Sequence, residues 1–125
     1  MLRDSRVTTI LAVVDPERAR EFYARILGLE DLGPSGDGKY LFKLGSGFLA
    51  LLQKPEGTKA EHTAISFEVA DAVAAVEELS GRGVVFDEYD LPGLKTVNSV
   101  CVLGSEKAAW FKDTEGNILC LHQNL

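Results

Sequence analysis

The sequence predicts an α+β fold made of two βαβββ modules, each a mixed, mostly antiparallel sheet curved around a groove. Three observations carry this. A strand-then-helix start occurs twice, and the aspartates that cap the two helices, Asp15 and Asp71, lie 56 residues apart. A pair of hairpin-like stretches ends each half, 39–53 and 107–123, with Phe42-Lys43 matching Phe111-Lys112 and Gln53 matching Gln123. Finally, one half alone could not cover both faces of its sheet, whereas two can cover each other.

The elements follow in order. Residues 7–14 form a β-branched run and read as a buried strand. Asp15 then supplies an N-cap, Pro16 suits the first helical turn, and Glu17 suits the positive end of the helix dipole. Ala19, Phe22, Tyr23, Ile26 and Leu27 recur at helical spacing as one apolar stripe, and Gly28 stops the helix. A short strand is expected at 29–32, then a hairpin with strands at 39–43 and 48–53 around Gly45-Ser46-Gly47. The second half repeats the plan. Residues 63–69 form a strand and Asp71 the cap. Ala72, Val76 and Leu79 make the helix face, ended by Gly81 and Gly83, and a strand is expected at 84–89. A hairpin with the turn 113–117 follows. The modules run from about 5 to 55 and from 61 to 125, within one domain spanning 1–125.

Composition bounds the function. With 125 residues, 46% apolar and 26% charged, the chain is an ordinary globular sequence and not a disordered one. No apolar run approaches the ~20 residues of a membrane helix. The first residues, Met1 to Thr9, mix charges before any apolar stretch and do not read as a secretory leader. A net charge of −6 argues against nucleic acid, whose phosphates need Lys and Arg. Two cysteines, Cys101 and Cys120, are too few for a disulfide framework, so both are expected as reduced thiols in a cytoplasm.

Strand alternation sorts the side chains between faces. Leu11, Val13, Tyr40, Phe42, Phe111, Leu119 and Leu121 belong with the core. The opposite face then collects Thr8, Ile10, Leu41, Phe48, Ala50, Leu52, Ala64, Ser66, Trp110, Cys120 and His122. This set is mostly apolar with a few polar points, the character of a small-molecule site.

The sequence resembles the vicinal oxygen chelate superfamily, which includes glyoxalase I, bleomycin-resistance proteins, fosfomycin-resistance enzymes and extradiol dioxygenases. The resemblance lies in the paired modules and in two motifs. One is Phe22-Tyr23 followed by Ile26-Leu27-Gly28-Leu29. The other is Trp110-Phe111-Lys112-Asp113 followed by Glu115-Gly116-Asn117. It covers essentially the whole chain and implies the fold more than the chemistry. Enzymes of this superfamily hold a divalent metal with His and Glu on the first and last strands of each module. Those positions fall here on Thr8, Ala50, Ala64 and Cys120, none of them His or Glu. Alanine cannot ligate, and one thiolate does not make a zinc or iron site. A weaker alternative is a three-ligand set of His62, Cys120 and His122, with His62 slid into place by a bulge.

Other motifs carry little. The Gly-rich stretch 33–38 opens no helix and is a turn rather than a phosphate cradle. The acidic turn 113–117 is too short for a calcium loop. There is no nucleophile elbow. Residues 93–105, bracketed by Pro92-Gly93 and Gly104, are expected as a mobile flap with Leu94, Val97 and Val100 on its inner side.

The expected function is metal-free binding or sequestration of a hydrophobic, aromatic or cationic small molecule, without a cofactor, by a cytoplasmic homodimer. The resemblance leaves an alternative open, a lyase, isomerase or dioxygenase-type enzyme with an atypical metal site. A third class is a domain whose groove is vestigial and which associates with another protein.

Overall fold

A computed structural model describes all 125 residues. They divide into two compact units, Met1–Lys59 with Thr114–Gly116, and Ala60–Asp113 with Asn117–Leu125. Each contains a four-stranded mixed sheet and one α-helix.

In the first unit, β1 (Thr8–Val13) leads into α1 (Pro16–Glu21). Asp15 sits extended before the helix, and its carboxylate accepts the Arg18 N–H at 3.1 Å, satisfying one of the donors a helix start leaves open. The stripe that reads as one regular helix instead changes pitch. A π-helical turn, Phe22–Ile26, follows α1, and the Leu27 N–H reaches back to the Phe22 carbonyl at 3.0 Å. Gly28 ends it with φ +73°, a left-handed conformation that suits glycine. β2 (Glu30–Pro34), β3 (Tyr40–Leu44) and β4 (Gly47–Gln53) complete a sheet ordered β1-β4-β3-β2, with β1 and β4 parallel and the other pairs antiparallel. Leu11, Val13, Phe42, Leu49 and Leu51 pack on the helical side with Ala19 and Tyr23, whose ring lies 6.1 Å from that of Phe42. Each such fully buried side chain contributes roughly 1.5–3 kcal/mol. Tyr40 shares that face but stays half-buried, and its hydroxyl reaches out to Glu17.

The second unit repeats the plan with an insertion. β5 (Thr63–Glu68) precedes α2 (Ala72–Gly81), capped by Asp71, which accepts the Ala74 N–H at 3.0 Å. The Gln123 side chain accepts the Ala72 N–H at 2.9 Å, so the matching glutamine on the last strand also ties down this helix start. A short hairpin, β6 (Asp90–Leu91) and β7 (Leu94–Lys95), comes before β8 (Cys101–Leu103), β9 (Glu106–Lys112) and β10 (Ile118–Asn124). The sheet order is β5-β10-β9-β8, the same as in the first unit. Its core joins Ala72, Val76, Val84 and Phe86 to Ala109, Phe111, Leu119 and Leu121.

Three sequence expectations are corrected here. The first-unit strand expected at 29–32 lies one to two residues later, at Glu30–Pro34. Residues 84–89 alternate in burial, with Val84 and Phe86 inside and Val85 exposed, yet they form no ladder strand. Only a single bridge joins Phe86 to Phe111, and the ladder strand on this side of β9 is β8, paired with Glu106–Ala108. The alternation therefore reports burial, not strand pairing. Residues 93–105, expected as a flap, are partly tied by strand pairing. Part of the segment is the β6–β7 hairpin, Cys101 is buried and paired with Ala108, and Val97, expected on the inner side, is exposed.

Candidate functional site

In each sheet one face carries the helix and the other does not. On the helix-free face of the first sheet, register places Thr8 beside Phe48, Ile10 beside Ala50, Leu41 beside Ala50 and Ala12 beside Leu52. Ala50 is nearly inaccessible, a short side chain sunk between larger ones, while Ile10 and Leu52 are exposed. The Lys43 ammonium lies 5.5 Å over the Phe48 ring, a cation–π contact at this edge.

The second sheet brings chemistry together. Trp110, Cys120 and Ser66 stand in one row across β9, β10 and β5, and Ala108, His122 and Glu68 stand in the next. With strands spaced about 4.8 Å, Trp110 and Ser66 are about 10 Å apart across the row. Trp110 is half-buried, with Tyr89 edge-on at 5.6 Å between ring centres. Tyr89 is held in turn, because its N–H donates to the Thr96 hydroxyl at 2.8 Å, and that hydroxyl donates to Glu88 at 2.9 Å. Hydrogen bonds from Ser99 and Thr96 keep the Glu88 carboxyl below its usual range. Ser66 Oγ lies 2.6 Å from His122 Nδ1, and His122 Nε2 lies 3.8 Å from Glu68 Oε1. Asn124 donates to the same Glu68 oxygen at 3.1 Å. Burial pushes the Cys120 thiol up, opposed by hydrogen bonding to Ser66, so at neutral pH it is a protonated floor and not a nucleophile.

The ligand positions implied by the family likeness do not fit a metal. Ala50 and Ala64 bring no donor atom, Thr8 only a neutral hydroxyl, and Cys120 a buried thiol. Ala64 falls at an irregularity in register, where Ile118 pairs with Thr63 but Leu119 with Ile65. A bulge is thus present at the predicted place, but it does not assemble the alternative set. His62 is exposed ahead of β5, and no three His, Cys, Asp or Glu side chains gather in a metal-holding group.

Sequence reasoning put Ser66, Trp110, Cys120 and His122 on one face and left two neighbours, Glu68 and Tyr89, out of the candidate set. Glu68 was legible, since it alternates with Ser66 on the same strand. Tyr89 was not, because no ladder carries it.

No protein-family model matches the sequence, and no curated protein matches it closely. Solved structures do. A Bacillus anthracis protein assigned to the glyoxalase family superposes with a TM-score of 0.76 at 17% identity, covering 98% of this chain and 96% of that one. The chain has the vicinal oxygen chelate fold. TnmS3, an antibiotic binding protein from Streptomyces sp. CB03234, shares this fold with a TM-score of 0.72 and 23% identity, over 100% of this chain and 99% of its own. The fosfomycin resistance protein FosX from Listeria monocytogenes gives 0.70 and 18%, over 97% and 90%. No helix is long and apolar enough to cross a membrane.

Proposed function

We propose that this protein binds a small planar molecule, hydrophobic, aromatic or cationic, and sequesters it without a metal or other cofactor. The observation that carries this is Trp110. It is the only tryptophan, and it lies half-buried on a helix-free sheet face beside the small side chain of Cys120, with Tyr89 bracing its edge. Such a ring offers a stacking surface worth roughly 0.5–1.5 kcal/mol beyond area burial. Ala64, Ser66, Cys120 and His122 complete the proposed surface on that sheet, and Thr8, Leu41, Phe48 and Ala50 form a separate candidate surface on the helix-free face of the first sheet. A fold shared with an antibiotic-binding protein and a fosfomycin resistance protein supports a ligand of drug-like size. Exposed Ile10 and Leu52 support pairing with a second copy of the chain. Two free thiols suit a reducing cytoplasm.

Tryptophan fluorescence tests the reading. In free protein the emission should be quenched by acrylamide, and a bound ligand from a panel of planar antibiotics and cationic dyes should protect it. Trp110→Ala should weaken that ligand by more than tenfold and leave the fold intact. Blue emission, insensitive both to acrylamide and to every member of the panel, would remove Trp110 from the site.

A further inference from the structure

We propose that the face beside Trp110 selects aromatic molecules carrying a hydrogen-bond donor, a phenol-type hydroxyl above all, and that Ser66, polarised by His122, reads that donor. The inference rests on Trp110 being the ligand's stacking surface.

The direction of the polar chain decides the chemistry. The carboxylate of Glu68 faces His122 Nε2, and Asn124 holds that carboxylate. A carboxylate 3.8 Å away on that side, too far for a direct hydrogen bond, favours the imidazole proton on Nε2 by electrostatic attraction, and this is the tautomer assigned. Nδ1 is then the acceptor, and the Ser66 hydroxyl donates to it across 2.6 Å. With its proton committed, Ser66 Oγ has only lone pairs to offer. The Cys120 thiol below also lies against this hydroxyl and donates to the Leu121 carbonyl at 3.3 Å, and since a hydroxyl oxygen carries two lone pairs, one stays open toward the ligand side. Ser66 is exposed, so a ligand can reach it. Hydrogen bonds in series strengthen one another, which makes this oxygen a better acceptor than an isolated serine.

The row geometry sets the size of the ligand. Trp110 and Ser66 flank Cys120 on neighbouring strands, and the 5% exposed Cys120 leaves a low floor between them. A ring resting on Trp110 must extend by about one further ring to bring a substituent over Ser66, given a strand spacing of about 4.8 Å. A two-ring aromatic with a terminal hydroxyl fits that span. The matching methyl ether has the same outline but only lone pairs, and it would meet Ser66 Oγ acceptor to acceptor.

Equilibrium dialysis with 2-naphthol and 2-methoxynaphthalene separates the possibilities. Wild-type protein should bind 2-naphthol about tenfold more tightly, the factor expected for one hydrogen bond to a polarised acceptor, even though the ether is the more apolar molecule. Ser66→Ala should abolish the preference while holding 2-methoxynaphthalene within about threefold of wild type, and Ser66→Thr should keep the preference. Equal binding of the two probes by wild type, or a preference that survives in Ser66→Ala, overturns the role of Ser66 and leaves the stacking role of Trp110 standing. Binding of neither probe overturns both.

Discussion

Glu115 grips Arg18 with both carboxylate oxygens. Arg18 Nε donates to Oε2 at 2.8 Å and Nη2 to Oε1 at 3.1 Å. Oε1 also accepts the backbone N–H groups of Val14 and Asp15 at 2.9 and 2.8 Å, and the Thr114 hydroxyl donates to Oε2 at 2.7 Å. The Glu115 side chain is fully shielded from solvent while that of Arg18 is half exposed. This carboxylate answers the donors around the start of α1, and it explains why Thr114–Gly116 belong with the first unit.

A pH dependence follows from that geometry. Burial alone would raise the Glu115 carboxyl. Hydrogen bonds from Arg18, the Asp15 N–H, Thr114 and the Val14 N–H outweigh it and hold the group down at about 2. A depressed carboxyl contributes stability that is complete above its unfolded value of 4.5 and disappears as pH falls toward 2. Glu115→Gln should therefore cost about 1–3 kcal/mol at neutral pH, with the exposed Arg18 keeping it toward the lower end. The gap to wild type should close as the pH is lowered through that window. Urea unfolding of both proteins across the acid range measures it, and a constant gap would show that the charge is not what matters.

Gly47 is required for a close approach and not for a turn. A Cβ there would lie 2.2 Å from the Val7 carbonyl oxygen, which itself accepts the Phe48 N–H at 2.9 Å. Gly47→Ala should force β1 away from β4 and lower stability by about 1–3 kcal/mol or more. In Gly36→Ala the new methyl meets open space, so that variant should unfold near the wild-type midpoint in the same denaturant series.

The ligand positions predict metal content. With Thr8, Ala50, Ala64 and Cys120 in those places, tag-free protein should contain no stoichiometric divalent metal. Elemental analysis decides it, and about one tightly bound zinc, iron, nickel or manganese per chain would contradict the expectation.

The exposed apolar residues predict assembly. Ile10 and Leu52 are 53% and 39% exposed on one sheet face, where Ile10 pairs with Ala50 and Leu52 with Ala12. Covering them with a second chain removes apolar surface from water. Light scattering at micromolar concentration should report twice the 13.6 kDa chain mass. Ile10→Lys should shift the population toward the monomer, and a wild-type monomer would rule the pairing out.

Local rules made much of this molecule legible. Asp15 and Asp71 announced two helix starts because capping is decided within three residues of chain. The two-residue period of a strand placed Phe42, Leu49, Phe111 and Leu119 inside and Trp110, Ser66, Cys120 and His122 on the opposite face. The 56-residue repeat gave the module plan, and the family resemblance implied ligand positions that fall on Ala50 and Ala64. Tertiary structure decided what depends on partners distant in sequence. Val84 and Phe86 have the alternation of a strand, but the fold gives this stretch only the Phe86–Phe111 bridge and the Asp87 N–H to Trp110 carbonyl hydrogen bond at 2.8 Å, while Cys101–Leu103 pair with the 106–108 end of the same strand. Glu115 looked like a surface acid in a turn until the fold set it against the backbone of Val14 and Asp15, about 100 residues away. The Ser66–His122–Glu68 chain likewise needed β5 and β10 in register, because two side chains on different strands meet only when the pairing aligns them.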